Sequence, residues 1–343
     1  MGALWFCLIT ILLATYVALD GFDIGVGIVQ FFVADTSEEK RKVMGTIAGV
    51  WGGNEVWLLA FGGAIFLAFP TLYASALSGF YLAIIIVLWL LILRGVATEF
   101  RGHIGGAMWP SFWDTVFAGA CALLGLVYGV ALGNIVRGVP LETGGSFFLP
   151  LWTNFSAGTG TGILDWYTLL VGVTSLLSLA VHGSLWVIVK TDGVLQQRTR
   201  SFAAKCWPGV VGLVLLISVL SFRVQPNLSK EFARHPWGLM FPGSAAAGLL
   251  GMRILGSRRK DEYAFFASTL YVIGMLASAA FGVFPNVLPS NRASATSLTI
   301  YNAAAGAHGL AIGPFWLVTG ILMAVGYAVI VYRYFAEKIP EGG

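Results

Sequence analysis

Residues 45–70, GTIAGVWGGNEVWLLAFGGAIFLAFP, constrain the rest of the chain more than any other stretch. They are apolar over the roughly 20 residues a helix needs to cross a bilayer, yet a carboxylate, Glu55, sits near the middle. A charge at the centre of a lipid-facing helix is costly, so such a residue turns toward protein or water and is a functional candidate. Gly45, Gly49 and Gly53 repeat the small-xxx-small spacing that lets two helix backbones approach closely in lipid. One helix is therefore expected both to pack tightly and to hold a proton-exchanging group.

Composition makes the membrane reading general. The 343 residues are 57% hydrophobic and 10% charged, where soluble domains carry about 25% charged residues, and the mean hydropathy is +0.83. The apolar segments are longer than the strands of about 10 residues found in outer-membrane barrels, so the expected fold is an all-α integral membrane protein. Cys7, Cys121 and Cys206 lie far apart in apolar surroundings and read as small hydrophobes. The sequence pI is near 9.0, but the basic residues are scattered through short loops, which marks one face of a membrane and excludes a nucleic-acid stripe. The first apolar run continues into DGFDIG without a small-residue cleavage site and is expected to be a retained helix.

Apolar windows predict about nine spans, near residues 4–33, 44–70, 74–99, 112–135, 163–190, 204–222, 237–256, 262–286 and 309–335, in a single polytopic domain covering 1–343. With nine spans, one set of ends gathers most of the Lys and Arg, and the other keeps only Arg137, Arg223, Lys230, Arg234 and Arg292. Because cations accumulate on the cytoplasmic side, the N-terminus is expected outside and the C-terminus in the cytoplasm. Dropping the short seventh span, interrupted by Pro242, would weaken that asymmetry. The longest connection, residues 136–162, is an outer-face loop with the length for gating or partner contact.

Several side chains stand out at membrane depth. Asp20 and Asp23, three apart, share a helix face and either cap the inner end of the first helix or belong to a proton path. Trp51 and Glu55, four apart, share the next helix's face, and desolvation among aromatics favours the proton-bound carboxyl that exchange near neutral pH requires. Asn54 and Glu55 have the alternative of bonding structurally to a neighbouring helix. Arg94 is expected to meet a carboxylate or phosphate outside its own helix, since Glu99 points elsewhere, and Arg101 to snorkel toward headgroups. Of the four histidines only His182 lies well inside a span. Haem with two histidine ligands would need His182 opposite His308, and a lone intramembrane histidine is more often a hydrogen-bonded packing residue.

The stretches DGFDIG (20–25), VWGGNEVWLLAFGGAIF (50–66) with AFPTLYASALSGFY (68–81), RGVATEFR (94–101), GVALGNIVRGVP (129–140) and FPNVLPS (284–290) followed by SLTIYNA resemble subunit II of cytochrome bd-type quinol oxidases, in order and spacing from the first helix to the last. The resemblance implies two four-helix bundles plus a peripheral helix. It implies a terminal oxidase that oxidises quinol and reduces dioxygen to water, with haem b, haem d and the catalytic centre in the partner subunit I. This chain would then hold no metal and supply the scaffold, part of a proton path and, in some members, an oxygen route or a bound structural quinone or lipid. A small single-helix subunit is a further partner the resemblance suggests, and the membrane would be a prokaryotic plasma membrane. The family's polar intramembrane positions fall on Asp20, Asp23, Trp51, Glu55, Arg94 and Glu99. One departs: many members read W-D-G-N-E-V-W where this chain has Trp51-Gly52-Gly53-Asn54-Glu55-Val56-Trp57, so an aspartate assigned to the proton path is Gly52 here.

Two other readings compete. A proton-coupled secondary transporter would also use buried carboxylates and an arginine, but such transporters bind at broken helices in paired repeats, which the sequence does not display. Purely structural polar contacts between helices are the third.

Overall fold

The computed structural model describes residues 1–158, 160–292 and 296–339. Among these, nine helices run between two faces: α1 (Gly2–Val33), α3 (Trp51–Ala68), α5 (Tyr81–Phe100), α6 (Met108–Arg137), α7 (Trp166–Lys190), α8 (Gly193–Val224), α10 (Met240–Ser257), α11 (Asp261–Val283) and α12 (Ala307–Tyr334). Three short helices lie at the faces: α2 (Ser37–Gly45), α4 (Pro70–Gly79) and α9 (Asn227–Arg234). Eight of the nine are long and apolar enough to cross a bilayer, α10 together with the short turn Pro236–Leu239 that leads into it, and α3 qualifies together with α4, from which it is bent by 120°. Pro70 enforces that break, having no N–H to continue the ladder of α3.

The stretch 45–70 is thus not one helix. α2 ends at Gly45, residues 46–50 form turns in which the Thr46 hydroxyl donates to the Val43 carbonyl, and α3 begins only at Trp51. Glu55, expected near mid-span, stands in the second turn of α3, roughly 6 Å from its start at 1.5 Å per residue. The expected helix 74–99 is likewise divided, by Phe80, into α4 and α5.

The glycine spacing does bring backbones together. A Cβ on Gly49 would stand 2.5 Å from the Phe335 ring and one on Gly53 3.2 Å from Tyr327, so this stripe receives the end of the chain. The tightest crossing joins α1 to α7: a Cβ on Gly25 would lie 2.0 Å from the Leu179 carbonyl oxygen, and one on Gly183 2.2 Å from the Gly25 carbonyl carbon. α1 also packs on α3 and α6, α5 on α6, α7 on α8, α11 on α7 and α10, and α12 on α3.

Each face is locked by polar contacts. On the face rich in cations, Arg101 binds Asp114 with its Nε 2.5 Å from Oδ1, Arg198 bridges Asp35 and Glu39, Arg200 holds Asp261 with both terminal nitrogens, and the Lys190 ammonium donates to the Phe335 and Ala336 carbonyls. On the opposite face the long connection folds inward, burying Leu141 and Leu149 beside Trp5 and Phe69. Val139 is hydrogen-bonded to Pro289 and Asn291, beside the short antiparallel pair β1 (Asn286–Leu288) and β2 (Leu298–Thr299).

Candidate functional site

Asp20 and Asp23 are fully buried on the inner half of α1, about 27 and 32 Å along a helix of 1.5 Å rise. They do not cap a helix end. Arg94 from α5 donates through Nη1 to Asp20 Oδ1 at 2.7 Å, and its Nη2 lies 3.6 Å from Glu55 Oε2 of α3. Arg94 is 2% exposed and Glu55 28%, so the guanidinium joins a sealed carboxylate to one that opens on the surface of the chain. Asn54, next to Glu55, donates to Asp23 Oδ2 at 2.8 Å and accepts from the Tyr332 hydroxyl of α12, also at 2.8 Å. Four helices therefore contribute to one polar cluster, in which Asn54 bonds across to α1 and α12 and Glu55 reaches Arg94 of α5.

Four atoms of the cluster, Asp20 Oδ2, Asp23 Oδ1, Arg94 Nε and Arg94 Nη2, have no hydrogen-bond partner within the described residues. Buried polar atoms are normally paired. Here the two carboxylate oxygens are free to accept a hydrogen bond and the two guanidinium nitrogens to donate one without breaking an existing bond. One turn before Asp20, Tyr16 shares a 2.6 Å hydroxyl contact with Tyr128 of α6.

Other expected members fall outside. Glu99 is exposed at the end of α5, where only its backbone carbonyl meets His103; five residues beyond Arg94, it points about 140° away around the helix. Arg101, expected to reach headgroups, instead pairs with the buried Asp114. Trp51 packs beside Gly95, its ring 3.6 Å from where a Cβ would stand, and so supports α5 next to Arg94. A Cβ on Gly52 would meet nothing within 4 Å among the described residues, so there is room here for the aspartate side chain that many family members carry.

His182 is buried, stacked on Phe265 at 5.1 Å, with Nε2 3.0 Å from the Ala18 carbonyl and Nδ1 2.7 Å from the Ser268 hydroxyl. A carbonyl only accepts, so Nε2 carries a proton, and both ring nitrogens are engaged in joining α7 to α1 and α11. This side chain does not fit an axial haem ligand. Among the described residues no group of three or more His, Cys, Asp or Glu is placed to hold a metal ion.

A second buried pair, Arg137 with Asp165, escaped the sequence reading. Asp165 also accepts from the Tyr167 and Thr168 N–H groups, and the Thr168 hydroxyl accepts from the Asp165 N–H, closing a capping box at the start of α7. The signal was available as Asp165-x-x-Thr168 before an apolar run. Arg137, expected from sequence only as an outer-face charge, is instead buried in this pair.

Comparison with known proteins places these features in a family. The family model for cytochrome bd terminal oxidase subunit II matches residues 1–335. The chain is 31% identical to cytochrome bd ubiquinol oxidase subunit 2 of Bacillus subtilis, covering 98% of this chain and 96% of the relative. It is 33% identical to cytochrome bd-I ubiquinol oxidase subunit 2 of Escherichia coli over 88% of this chain and 85% of the relative. It is 32% identical to a probable cytochrome oxidase subunit 2 of Haemophilus influenzae over 96% and 92%. Its fold matches a chain of the bd oxidase from Geobacillus thermodenitrificans with a TM-score of 0.73 at 16% identity, covering 97% of this chain and 98% of that one. With nine helices between two faces, polar residues buried at membrane depth and this agreement along almost its whole length, the chain belongs to the cytochrome bd terminal oxidase subunit II family.

Proposed function

We propose that this subunit of the bd quinol oxidase holds its partner subunit I in place and carries protons from the cation-rich face toward it. Haem b, haem d, the quinol site and the catalytic centre are assigned to the partner. The observation that carries the reading is the cluster on α1, α3, α5 and α12. Arg94 faces two carboxyls, Asp20 and Glu55, and Asn54 holds a third, Asp23, so three carboxyls stand in a cluster with one guanidinium. Full ionisation would leave two uncompensated negative charges at membrane depth, and protons are what balance them.

The exit is argued from exposure. Gly52, Val56, Leu59 and Phe66 are exposed on α3, on the side where Glu55 opens. A stripe of small and apolar residues is how helices approach in lipid, and subunit I is the partner assigned to it. Around this path we assign α1, α3, α5 and α6 to one four-helix group and α7, α8, α10 and α11 to a second that packs on it through α7, with α12 peripheral. Orientation follows the charge asymmetry, with the N-terminus outside and the C-terminus in the cytoplasm of a prokaryotic plasma membrane. The transporter alternative is set aside, since the matched family consists of oxidase subunits.

The test is Glu55→Gln in the purified complex. Slower quinol-dependent oxygen uptake with haem content unchanged is the expected result. Loss of haem and rate together would assign Glu55 to assembly, and an unchanged rate would remove it from the proton path.

A further inference from the structure

On the cation-rich side a groove separates α8 from α10 over α7. Its cavity of 140 Å³ is lined by Val181, Leu185 and Ile188 from α7, by Ala204 and Trp207 from α8, and by Met252 from α10. Three polar groups stand at its rim: Arg200, Arg253 and Ser257. This places the rim at the ends of the helices, where headgroups lie, and the apolar floor deeper, where acyl chains lie.

The rim carries unused donors. Arg200 spends both terminal nitrogens on Asp261, and its Nε is buried without a hydrogen-bond partner. Arg253 lies in the penultimate turn of α10 and has no carboxylate partner among the described residues. Its guanidinium sits 5.8 Å from the centre of the Trp207 ring. The indole is itself fixed, donating its N–H to the Leu249 carbonyl at 2.9 Å. An arginine so stacked is held ready for an anion, and a planar guanidinium favours a phosphate.

The geometry points to a binding site for an anionic phospholipid, with the phosphate at Arg253 and Arg200 Nε and one acyl chain along Leu185, Ile188 and Met252. A basic pocket between transmembrane helices is the form that recognition of anionic headgroups takes. The cavity, at 140 Å³, is well below the roughly 300–1,000 Å³ of sites that enclose a compact small molecule, so it takes part of an elongated ligand that continues into the surrounding lipid. Two guanidinium donors select a charged headgroup over a neutral one. The occupant is a lipid and not free phosphate, because the apolar floor adds burial that phosphate cannot use.

The experiment uses the whole oxidase, delipidated in detergent and titrated with phosphatidylglycerol, phosphatidylcholine or inorganic phosphate, with bound lipid read by native mass spectrometry. Phosphatidylglycerol is expected to bind and phosphatidylcholine to bind at least tenfold more weakly, with no competition from inorganic phosphate at equal concentration. Arg253→Gln should weaken phosphatidylglycerol roughly tenfold, as expected for one charge-assisted contact, whereas Arg258→Gln, at the same helix end but outside the groove, should not. Ala204→Phe, which fills the groove and keeps every charge, should also displace the lipid. Haem content serves as the folding control for each variant. Equal binding of both lipids, equal loss in Arg253→Gln and Arg258→Gln, retention by Ala204→Phe, or competition by phosphate would each overturn the proposal.

Discussion

Removing the guanidinium at the centre of the cluster should cost far more than removing its best partner. Arg94 and Asp20 are 2% and 0% exposed and 2.7 Å apart. Arg94→Met leaves Asp20 buried with no cation, and breaking a buried pair in this way costs about 3–5 kcal/mol. Asp20→Asn is milder. The amide oxygen can still accept from Nη1, and Glu55 remains within 3.6 Å of Nη2, so the loss is about 1–3 kcal/mol. The double variant Asp20→Asn/Arg94→Met removes both charges of the pair, and its loss should fall short of the sum of the singles, with a coupling of roughly 0.5–3 kcal/mol. The assay is the temperature at which the detergent-solubilised oxidase loses half its haem absorbance. Wild type should be followed by Asp20→Asn and then Arg94→Met, with the double variant losing less than the two single losses together. Strict additivity, or Arg94→Met no worse than Asp20→Asn, would refute the claim that the cluster is held by charge compensation around Arg94.

Other predictions test neighbouring parts of the structure. Gly52→Asp, whose Cβ would meet nothing within 4 Å, should keep haem content and give oxygen uptake equal to or faster than wild type; loss of haem would show that the glycine serves close contact with the partner. Tyr332→Phe removes one donor to Asn54, which should lower thermal stability by about 0.5–1.5 kcal/mol, and an unchanged midpoint would show that this hydrogen bond does not hold α12. Gly183→Ala forces a methyl within 2.2 Å of the α1 backbone and should abolish recovery of the haem-bearing complex, while Gly212→Ala, with open space around it, should be neutral. At Glu39, burial pushes the carboxyl up, but hydrogen bonds from Arg198, Asp35 and Thr36 and the Arg198 charge bring it below the ordinary value. With the folded value depressed, its contribution is present above the unfolded glutamate value of about 4.3 and is lost as pH falls through the folded one. Because Arg198 and Glu39 are 29% and 22% exposed, that contribution is about 0–1 kcal/mol, and Glu39→Gln should flatten the stability profile only below about pH 4.3.

What the sequence reveals about the cluster, and what it hides, follows from the range over which each cause acts. A carboxylate in an apolar run is conspicuous because lipid makes it costly, and Asp20, Asp23, Glu55 and Arg94 could be picked out for that reason alone. Their pairing is set by which helices cross and in what register, as where Gly25 meets Gly183 of α7 and where Gly49 and Gly53 meet Phe335 and Tyr327 at the end of the chain. Such contacts join residues hundreds of positions apart. Tyr332 is 278 residues from Asn54, and nothing local distinguishes it from an interfacial tyrosine. Glu99 shows the converse: its chemistry suits a proton path, but a position five residues from Arg94 turns it to the exposed side. The break at residues 46–50 went unread because it contains no proline, and the glycines that let two helices approach also weaken the helix that carries them. Gly45 ends α2 and Gly49 lies within the turn that precedes α3 at Trp51. The same small residues that admit α12 thus move Glu55 from mid-span into the second turn, nearer the face from which protons would enter.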